Sequence, residues 1–139
     1  MRILGLDVGT KRVGVALSDE LLMTAQGLCV IEYEKQMEVF SELAVIFNRR
    51  DIAKIVVGLP RNMNGSIGPQ AEHVISFKDK LKEQFSVPII LWDERLSTVS
   101  AEQTLIASGL SRSRRKQVRD KVAAALILQS YLDNLDETG

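Results

Sequence analysis

The sequence is poor in the residues that build zinc sites, disulfides and nucleophilic triads. Its 139 residues include one cysteine, Cys29, and one histidine, His73. A single cysteine excludes an internal disulfide, and one residue of each type supplies too few sulfur and imidazole ligands for zinc. Catalysis by a serine or cysteine nucleophile would lack a convincing histidine base. We therefore expect a reducing, cytoplasmic setting, with Cys29 in a buried strand and His73 on a helix surface.

Long apolar runs are also missing. No stretch approaches the roughly 20 apolar residues that a membrane-spanning helix needs, and the chain starts on a strand-like run without a basic leader. We therefore expect a protein that is neither secreted nor inserted in a membrane. There are 18 basic and 18 acidic residues, so no overall field marks a nucleic-acid binder. The length fits a single domain with a core of its own.

The pattern of apolar residues predicts an α/β domain. The predicted strands are Arg2–Val8, 13–18, about 28–33, 55–58 and 88–92. The predicted helices are about 37–50, one that starts at Pro69, one that is capped by Ser97 or Thr98 and ends at Gly109, and about 116–135. The first strands are joined by short turns and the later ones by helices, so we expect a mixed sheet with helices on its faces.

Asp7 interrupts the apolar run of the first strand. A lone acid there is costly unless a positive charge compensates it, and Lys11 or Arg12 could be a purely structural partner. Three glycines lie near it in the sequence: Gly5, Gly9 and Gly14. They favour a ligand site instead, because they remove side chains from the strand surfaces and the turn around Asp7.

A pair of acids, Asp93 and Glu94, follows the last predicted strand. Successive strand residues point to opposite faces, so only one of the two can share a side with Asp7. Periodicity leaves open which one does. In the alternative interpretation, one acid caps the helix that begins near Ser97 and the other pairs with Arg95.

Asp120 heads an apolar stripe on the last helix, because Ala123, Ala124 and Ile127 follow it at helical spacing. Small alanines would let this helix approach the sheet closely. An acid in the first helical turn, favoured by the helix dipole, is the alternative. Asp120 also lies in a basic run, 111–121, which could hold phosphates or form a solvated start of the helix.

Acids from a first strand, a later strand end and a final helix can converge in a layered domain. Their mutual repulsion would then require cations, and hard oxygen ligands suit magnesium or manganese. With a basic run beside them, the coherent chemistry is phosphodiester hydrolysis assisted by two ions about 4 Å apart.

The turn Asp7-Val8-Gly9-Thr10 allows a different hypothesis. It is no Walker loop, because no Gly-Lys-Ser or Gly-Lys-Thr ending follows. It does resemble the first phosphate segment of the actin and sugar-kinase superfamily. Those enzymes close two such domains over a nucleotide, whereas the length here suits one, which argues against nucleotide binding.

Four segments together resemble the YqgF family, in order and over nearly the whole chain: residues 6–14 (LDVGTKRVG), 57–60 (VGLP), 93–98 (DERLST) and 120–129 (DKVAAALILQ). Members of this family are similar to the Holliday-junction resolvase RuvC. The resemblance implies an RNase-H-like three-layer fold, with a mixed five-stranded sheet and helices on both faces, in one nuclease domain over residues 1–139. It implies a hydrolase that processes the 5′ end of the small-subunit (16S) ribosomal RNA precursor. The alternatives are a Holliday junction resolvase acting on branched DNA and a non-catalytic, nucleic-acid-binding ribosome assembly factor.

The resemblance also assigns roles to residues. It implies that Asp7, Glu94 and Asp120 are the catalytic carboxylates that hold Mg²⁺ or Mn²⁺, with Asp93 supporting them from outside the metal's own ligands. The implied phosphate contacts are Lys11, Arg12, Arg61, Arg95, Arg114, Arg115 and Lys116. The implied partners are structured RNA, branched DNA and pre-ribosomal particles, bound by a monomer or a homodimer. Because one fold serves many functions, the resemblance specifies the fold more closely than the substrate.

Overall fold

The computed structural model describes residues 1–60, 67–93 and 112–135, with side chains from 118 onward in the last range. Its strands are β1 Arg2–Val8, β2 Arg12–Ser18, β3 Ala25–Glu32, β4 Ile52–Leu59 and β5 Ile89–Asp93. Its helices are α1 Gln36–Arg49, α2 Pro69–Gln84 and α3 Arg112–Asp133. The predicted element types are confirmed within these ranges, and Pro69 is at the start of α2 as expected. The helix predicted to end at Gly109 lies outside the described residues.

The five strands form one sheet in the order β3-β2-β1-β4-β5. β1 pairs antiparallel with β2, and β2 pairs antiparallel with β3. β1 and β4 are parallel, as are β4 and β5, which agrees with the predicted change from hairpins to helical crossovers. β1 therefore lies in the middle of the sheet, and the residues at its carboxyl end lie between neighbouring strands on both sides.

Helices α1 and α2 cover one face of the sheet. Each carries apolar residues three or four positions apart, which places them on one side of the helix. These residues pack on inward-facing strand residues such as Leu4, Leu6 and Val57 in a single apolar cluster. The buried helical residues are Val39, Phe40, Leu43 and Ile46 of α1 and Ala71, Val74, Phe77 and Leu81 of α2. This face is a conventional apolar core.

Helix α3 covers the other face and lies very close to it. A Cβ atom added to Gly5 would be 2.8 Å from the Cβ atom of Leu128, and one added to Gly14 would overlap the main-chain carbonyl oxygen of Asp120. The space left by these two glycines is therefore filled by α3. The expectation that Gly5 and Gly14 make room for a ligand is wrong, because they make room for the helix that carries Asp120.

Two side chains singled out by their rarity are partly buried. Cys29 is in β3, as predicted, and burial raises the pKa of its thiol. His73 is half-buried in α2, and its Nε2 atom is fully enclosed, so the prediction of a surface histidine is wrong. Across the described ranges, no helix combines the length and the apolar character needed to cross a membrane.

Candidate functional site

Asp7 lies near the carboxyl end of the central strand and is half-buried. It is directly opposite Gly14 in the antiparallel pair of β1 and β2. Gly5, two residues earlier, contacts α3, and residues two apart in a strand share a face. Asp7 is therefore on the face that α3 covers.

Asp120 is brought to the same place by α3. Its main chain rests on Gly14, the cross-strand neighbour of Asp7, so the two acids are adjacent across this contact. Asp120 lies more than two turns after Arg112, the first residue of α3, because an α-helix has 3.6 residues per turn. The alternative of a first-turn acid stabilised by the helix dipole is wrong, since that effect fades within one turn.

Two arginines contact the Asp120 carboxylate. The Nε atom of Arg12 is 3.1 Å from Oδ2 of Asp120, and the Nε atom of Arg119 is 4.0 Å from Oδ1. The Arg12 and Asp120 side chains are only 22% and 16% exposed, so solvent screens this pair less than a surface pair. Arg12, which we considered as a structural partner of Asp7, forms this ion pair with Asp120.

The turn that carries Lys11 and Arg12 is held at several main-chain atoms. The amide of Gly9 donates to the carbonyl of Arg12 at 2.8 Å, and the amide of Tyr33 donates to the carbonyl of Lys11 at 2.9 Å. The Tyr33 hydroxyl donates to the carbonyl of Gly9 at 2.7 Å, and Gln70 Nε2 donates to the carbonyl of Val8 at 3.1 Å. Burial raises the pKa of Tyr33, so the hydroxyl remains a donor at neutral pH.

Asp7 and Asp120 line one cavity of about 890 Å³, together with the turn and the start of α1. The acidic residues that line it are Asp7, Glu32, Glu34, Glu38 and Asp120, and the basic ones are Lys11, Arg12 and Arg119. Among the described residues that line it, five are acids and three are bases, so this part of the cavity attracts cations.

Asp93 is on the opposite side of the sheet. It is the cross-strand neighbour of Leu59, which belongs to the apolar cluster under α1 and α2. Trp92 instead packs with the residues under α3, as alternation along a strand requires. The structure therefore does not bring Asp93 together with Asp7 and Asp120.

Several predicted site residues cannot be compared with the structure. Glu94, Arg61 and Arg95 lie outside the described residues, as do the side chains of Arg114, Arg115 and Lys116. The main chain of these last three is in the first turns of α3. At a rise of about 1.5 Å per residue, Lys116 is roughly 6 Å along the helix axis from Asp120.

Among the residues of the site that were not predicted, Arg119 contacts Asp120 and Tyr33 and Gln70 hold the turn. Arg119 could have been found from its position next to Asp120 in the basic run. Tyr33 and Gln70 act through hydrogen bonds to main-chain atoms of a distant turn, and no feature of the sequence indicates those.

Comparison with known proteins now adds to this geometry. Residues 1–134 match the family model described as "RuvX: Holliday junction resolvase". The chain belongs to the RuvX family. RuvX relatives from Bacillus cytotoxicus and Desulforamulus reducens are 53% and 54% identical to it, over 96% of this chain and 99% and 98% of their own lengths. Both carry the name "Putative pre-16S rRNA nuclease". Each description names an enzyme that cuts nucleic acid.

Solved structures show the same fold at low sequence identity. Thermus thermophilus RuvC bound to a Holliday junction substrate aligns with a TM-score of 0.59 at 14% identity, over 96% of each chain. The fowlpox virus resolvase bound to Holliday junction DNA aligns with a TM-score of 0.56 at 14% identity, over 97% of this chain and 99% of its own. The predicted RNase-H-like three-layer fold of this RuvX protein is confirmed.

This fold implies dependence on a divalent metal, and the described donors suit one. Asp7 and Asp120 offer carboxylate oxygens, the hard ligands that such ions prefer, in a cavity with an excess of acids. Magnesium is commonly bound through one or two carboxylates with water and phosphate completing the shell. Within residues 1–60, 67–93 and 112–135, no three His, Cys, Asp or Glu side chains form a metal-binding group. Of the three predicted ligands, Asp7 and Asp120 lie in the described part of this RuvX chain, and Glu94 lies outside it.

Proposed function

We propose that this protein hydrolyses phosphodiester bonds during processing of the 5′ end of the 16S ribosomal RNA precursor. Relatives that carry this activity in their name are more than half identical to it over 96% of its length. The observation that carries the chemical part of the proposal is that Asp7 and Asp120 line one cavity although they are far apart in sequence.

The proposed catalytic groups are Asp7, Glu94 and Asp120, which would hold Mg²⁺ or Mn²⁺. When bound, such ions would activate water and stabilise the leaving oxygen. Glu94 is retained rather than Asp93 because Asp93 lies on the face of the sheet that α1 and α2 cover. The protein's own task is to hold its carboxylates in fixed positions, and the packing of α3 on Gly14 does this for Asp120.

The proposed phosphate contacts begin with Lys11 and Arg12, which line the cavity on its turn side. The other proposed contacts are Arg61, Arg95, Arg114, Arg115 and Lys116. Such contacts position a nucleic acid without reading its sequence. The first turns of α3 carry basic residues and no acid, which favours an anion there because the helix dipole is positive at that end.

Hydrolysis of branched DNA is the second candidate. The family description and the two resolvases of similar fold favour it, although a likeness at 14% identity speaks for the fold alone. A nucleic-acid-binding assembly factor without catalysis is a third candidate, and it predicts tight binding with no cleavage.

The wider setting belongs to the same proposal. We expect one domain spanning residues 1–139 that acts in the cytoplasm on structured RNA, as a monomer or a homodimer, and that contacts pre-ribosomal particles. An unbridged, half-buried Cys29 is compatible with a reducing compartment.

Single-turnover cleavage of a 16S precursor leader and of a four-way DNA junction, each with Mg²⁺ or Mn²⁺, tests the proposal. Loss of a metal ligand removes several kcal/mol of charge stabilisation, so Asp7→Asn and Asp120→Asn should each slow cleavage by roughly 10³-fold. Asp79→Asn is the matched control, since Asp79 is 66% exposed on α2, and it should cleave at the wild-type rate.

Each competing function has its own result. Equal rates for wild type and Asp7→Asn would remove this carboxylate from the mechanism. Cleavage of the junction but not of the RNA would select the second candidate. Binding of both substrates without cleavage under either metal would select the assembly factor.

A further inference from the structure

The Arg12 guanidinium forms an ion pair with Asp120, a carboxylate that the proposed metal centre needs. The distance between Nε of Arg12 and Oδ2 of Asp120 is 3.1 Å. Because one cation already neutralises this oxygen, a divalent ion that used it would bring two positive groups together. Metal binding through Oδ2 of Asp120 is therefore favoured when Arg12 moves away from it.

Only the side chain of Arg12 is free to make that movement. Its main-chain carbonyl accepts a hydrogen bond from Gly9, and the neighbouring carbonyl of Lys11 accepts one from Tyr33. The Tyr33 hydroxyl fixes the same turn from the other side, at the carbonyl of Gly9. The main chain at Arg12 is thus fixed, while its long side chain lines the same cavity as Asp7 and Asp120.

An arginine that leaves Asp120 needs another anion, because its side chain is only 22% exposed and an unpaired charge in such a place is costly. The other acids of the cavity are Glu32, Glu34 and Glu38, along with Asp7. A phosphodiester brought into this cavity offers two non-bridging oxygens, which the planar guanidinium can bind with two parallel hydrogen bonds. It also brings the negative charge that a divalent ion requires.

We propose that Arg12 exchanges between the Asp120 carboxylate and a substrate phosphate, so that divalent metal and nucleic acid each strengthen the binding of the other. This inference rests on the proposed function for its ligands. It assigns Arg12 a task beyond contacting phosphate: in the absence of nucleic acid it holds Asp120 and weakens metal binding. The coupling must be reciprocal, because linkage acts equally on both binding equilibria.

The first measurement is Mn²⁺ binding without nucleic acid, followed by the electron paramagnetic resonance signal of free Mn²⁺. Arg12→Gln removes the nearer of the two arginines that contact Asp120 and should bind Mn²⁺ more tightly than wild type by about tenfold, within the range usual for coupled sites. Lys35→Gln removes one exposed charge next to the lining residue Glu34 and serves as the control, with a change below about twofold because exposed charges are well screened.

The second measurement is the affinity for a fluorescently labelled RNA hairpin, followed by anisotropy at low temperature, with intact RNA verified on a gel. In the wild type, saturating Mn²⁺ should tighten RNA binding by about tenfold. In Arg12→Gln, saturating Mn²⁺ should leave the RNA affinity almost unchanged. Arg12→Lys keeps a positive charge but loses the planar fork, so it should bind Mn²⁺ like the wild type and show a reduced enhancement.

Mn²⁺ affinity that is equal or weaker in folded Arg12→Gln would overturn the inference. If Arg12→Gln does not fold, as judged by circular dichroism, an undiminished enhancement in Arg12→Lys would overturn it instead. If the Mn²⁺ affinity increases in Arg12→Gln but the protein cleaves neither substrate, the proposed reaction is excluded and the exchange is supported. Cleavage without a change in Mn²⁺ affinity would support the proposed reaction and overturn the exchange.

Discussion

The two faces of the sheet are built for different purposes. Under α1 and α2 the strands present large apolar side chains. Helical residues such as Phe77 and Leu43, both fully buried, pack against them. Under α3 the strands present Gly5, Gly14 and Asp7, and the helix approaches closely enough to touch the strand backbone. The larger apolar cluster thus lies under α1 and α2, whereas the α3 face combines a smaller apolar cluster, which includes Ile3, Val56 and Ile127, with charged groups held in fixed positions.

A large truncation on the apolar face should separate stability from metal binding most clearly. Phe77 is fully buried and its ring packs against Phe40 with centroids 5.3 Å apart. Phe77→Ala should lower the free energy of unfolding by about 3–5 kcal/mol, while the folded fraction binds Mn²⁺ as the wild type does. Urea denaturation and a Mn²⁺ titration measure the two effects.

Val45→Ala is the control, because Val45 is 50% exposed on α1 and should change stability by no more than about 0.5 kcal/mol. A large loss of Mn²⁺ affinity in folded Phe77→Ala would show that the two faces are not separable.

The close approach of α3 should make Gly14 intolerant of any side chain. In Gly14→Ala, the new methyl group would overlap the Asp120 carbonyl, so backbone must shift and stability should fall by about 1–3 kcal/mol. Cleavage should fall as well, because the shift displaces Asp120 relative to Asp7. Thermal unfolding and a single-turnover assay report the two changes.

Gly27→Ala provides the comparison on the same face. There the new atom would be 3.0 Å from the Cβ atom of Lys121, so a smaller adjustment suffices and both losses should be smaller than in Gly14→Ala. Equal behaviour of the two variants would contradict the special role given to Gly14.

The Tyr33 hydroxyl should matter for chemistry as well as for stability. Tyr33→Phe removes the hydrogen bond to the Gly9 carbonyl and should cost about 1 kcal/mol of stability. Because the turn that carries Arg12 loosens, cleavage should slow by about fivefold, the equivalent of about 1 kcal/mol. Tyr131→Phe loses a hydroxyl that accepts from Lys54 at 3.2 Å and should keep the wild-type rate. An unchanged cleavage rate in Tyr33→Phe would show that the hydrogen bond between Tyr33 and the turn does not affect catalysis.

Asp93 should give the smallest effect. It lies beyond the apolar cluster of the other face and is exposed, so Asp93→Asn should alter cleavage by less than about twofold and stability by less than about 0.5 kcal/mol. Glu94→Gln, tested beside it, should lose cleavage by roughly 10³-fold if Glu94 is a ligand. The reverse order would exchange the roles of the two acids.

The sequence allowed the elements and the position of Asp7 to be predicted, because β-branched runs and helical spacing are local signals. It also placed Asp120 at the head of the stripe Ala123, Ala124 and Ile127, all of which are buried. The choice between Asp93 and Glu94 was open, because it depends on strand register. The pairing of Leu59 with Asp93 supplies that register.

What the sequence could not provide are contacts between distant segments. Arg12 and Asp120 are more than a hundred residues apart, and nothing local indicates that they form an ion pair. The glycines were understood as ligand space because a glycine pattern does not say what fills the gap. Helix backbone and ligand are equivalent in that respect.

The most direct test of the account is the position of bound Mn²⁺, located by anomalous diffraction from crystals grown with the ion and a short nucleic acid. We expect an anomalous peak within bonding distance of carboxylate oxygens of both Asp7 and Asp120, with the Arg12 side chain directed toward a phosphate. A structure in which Arg12 stays on Asp120 and the ion binds elsewhere would contradict it.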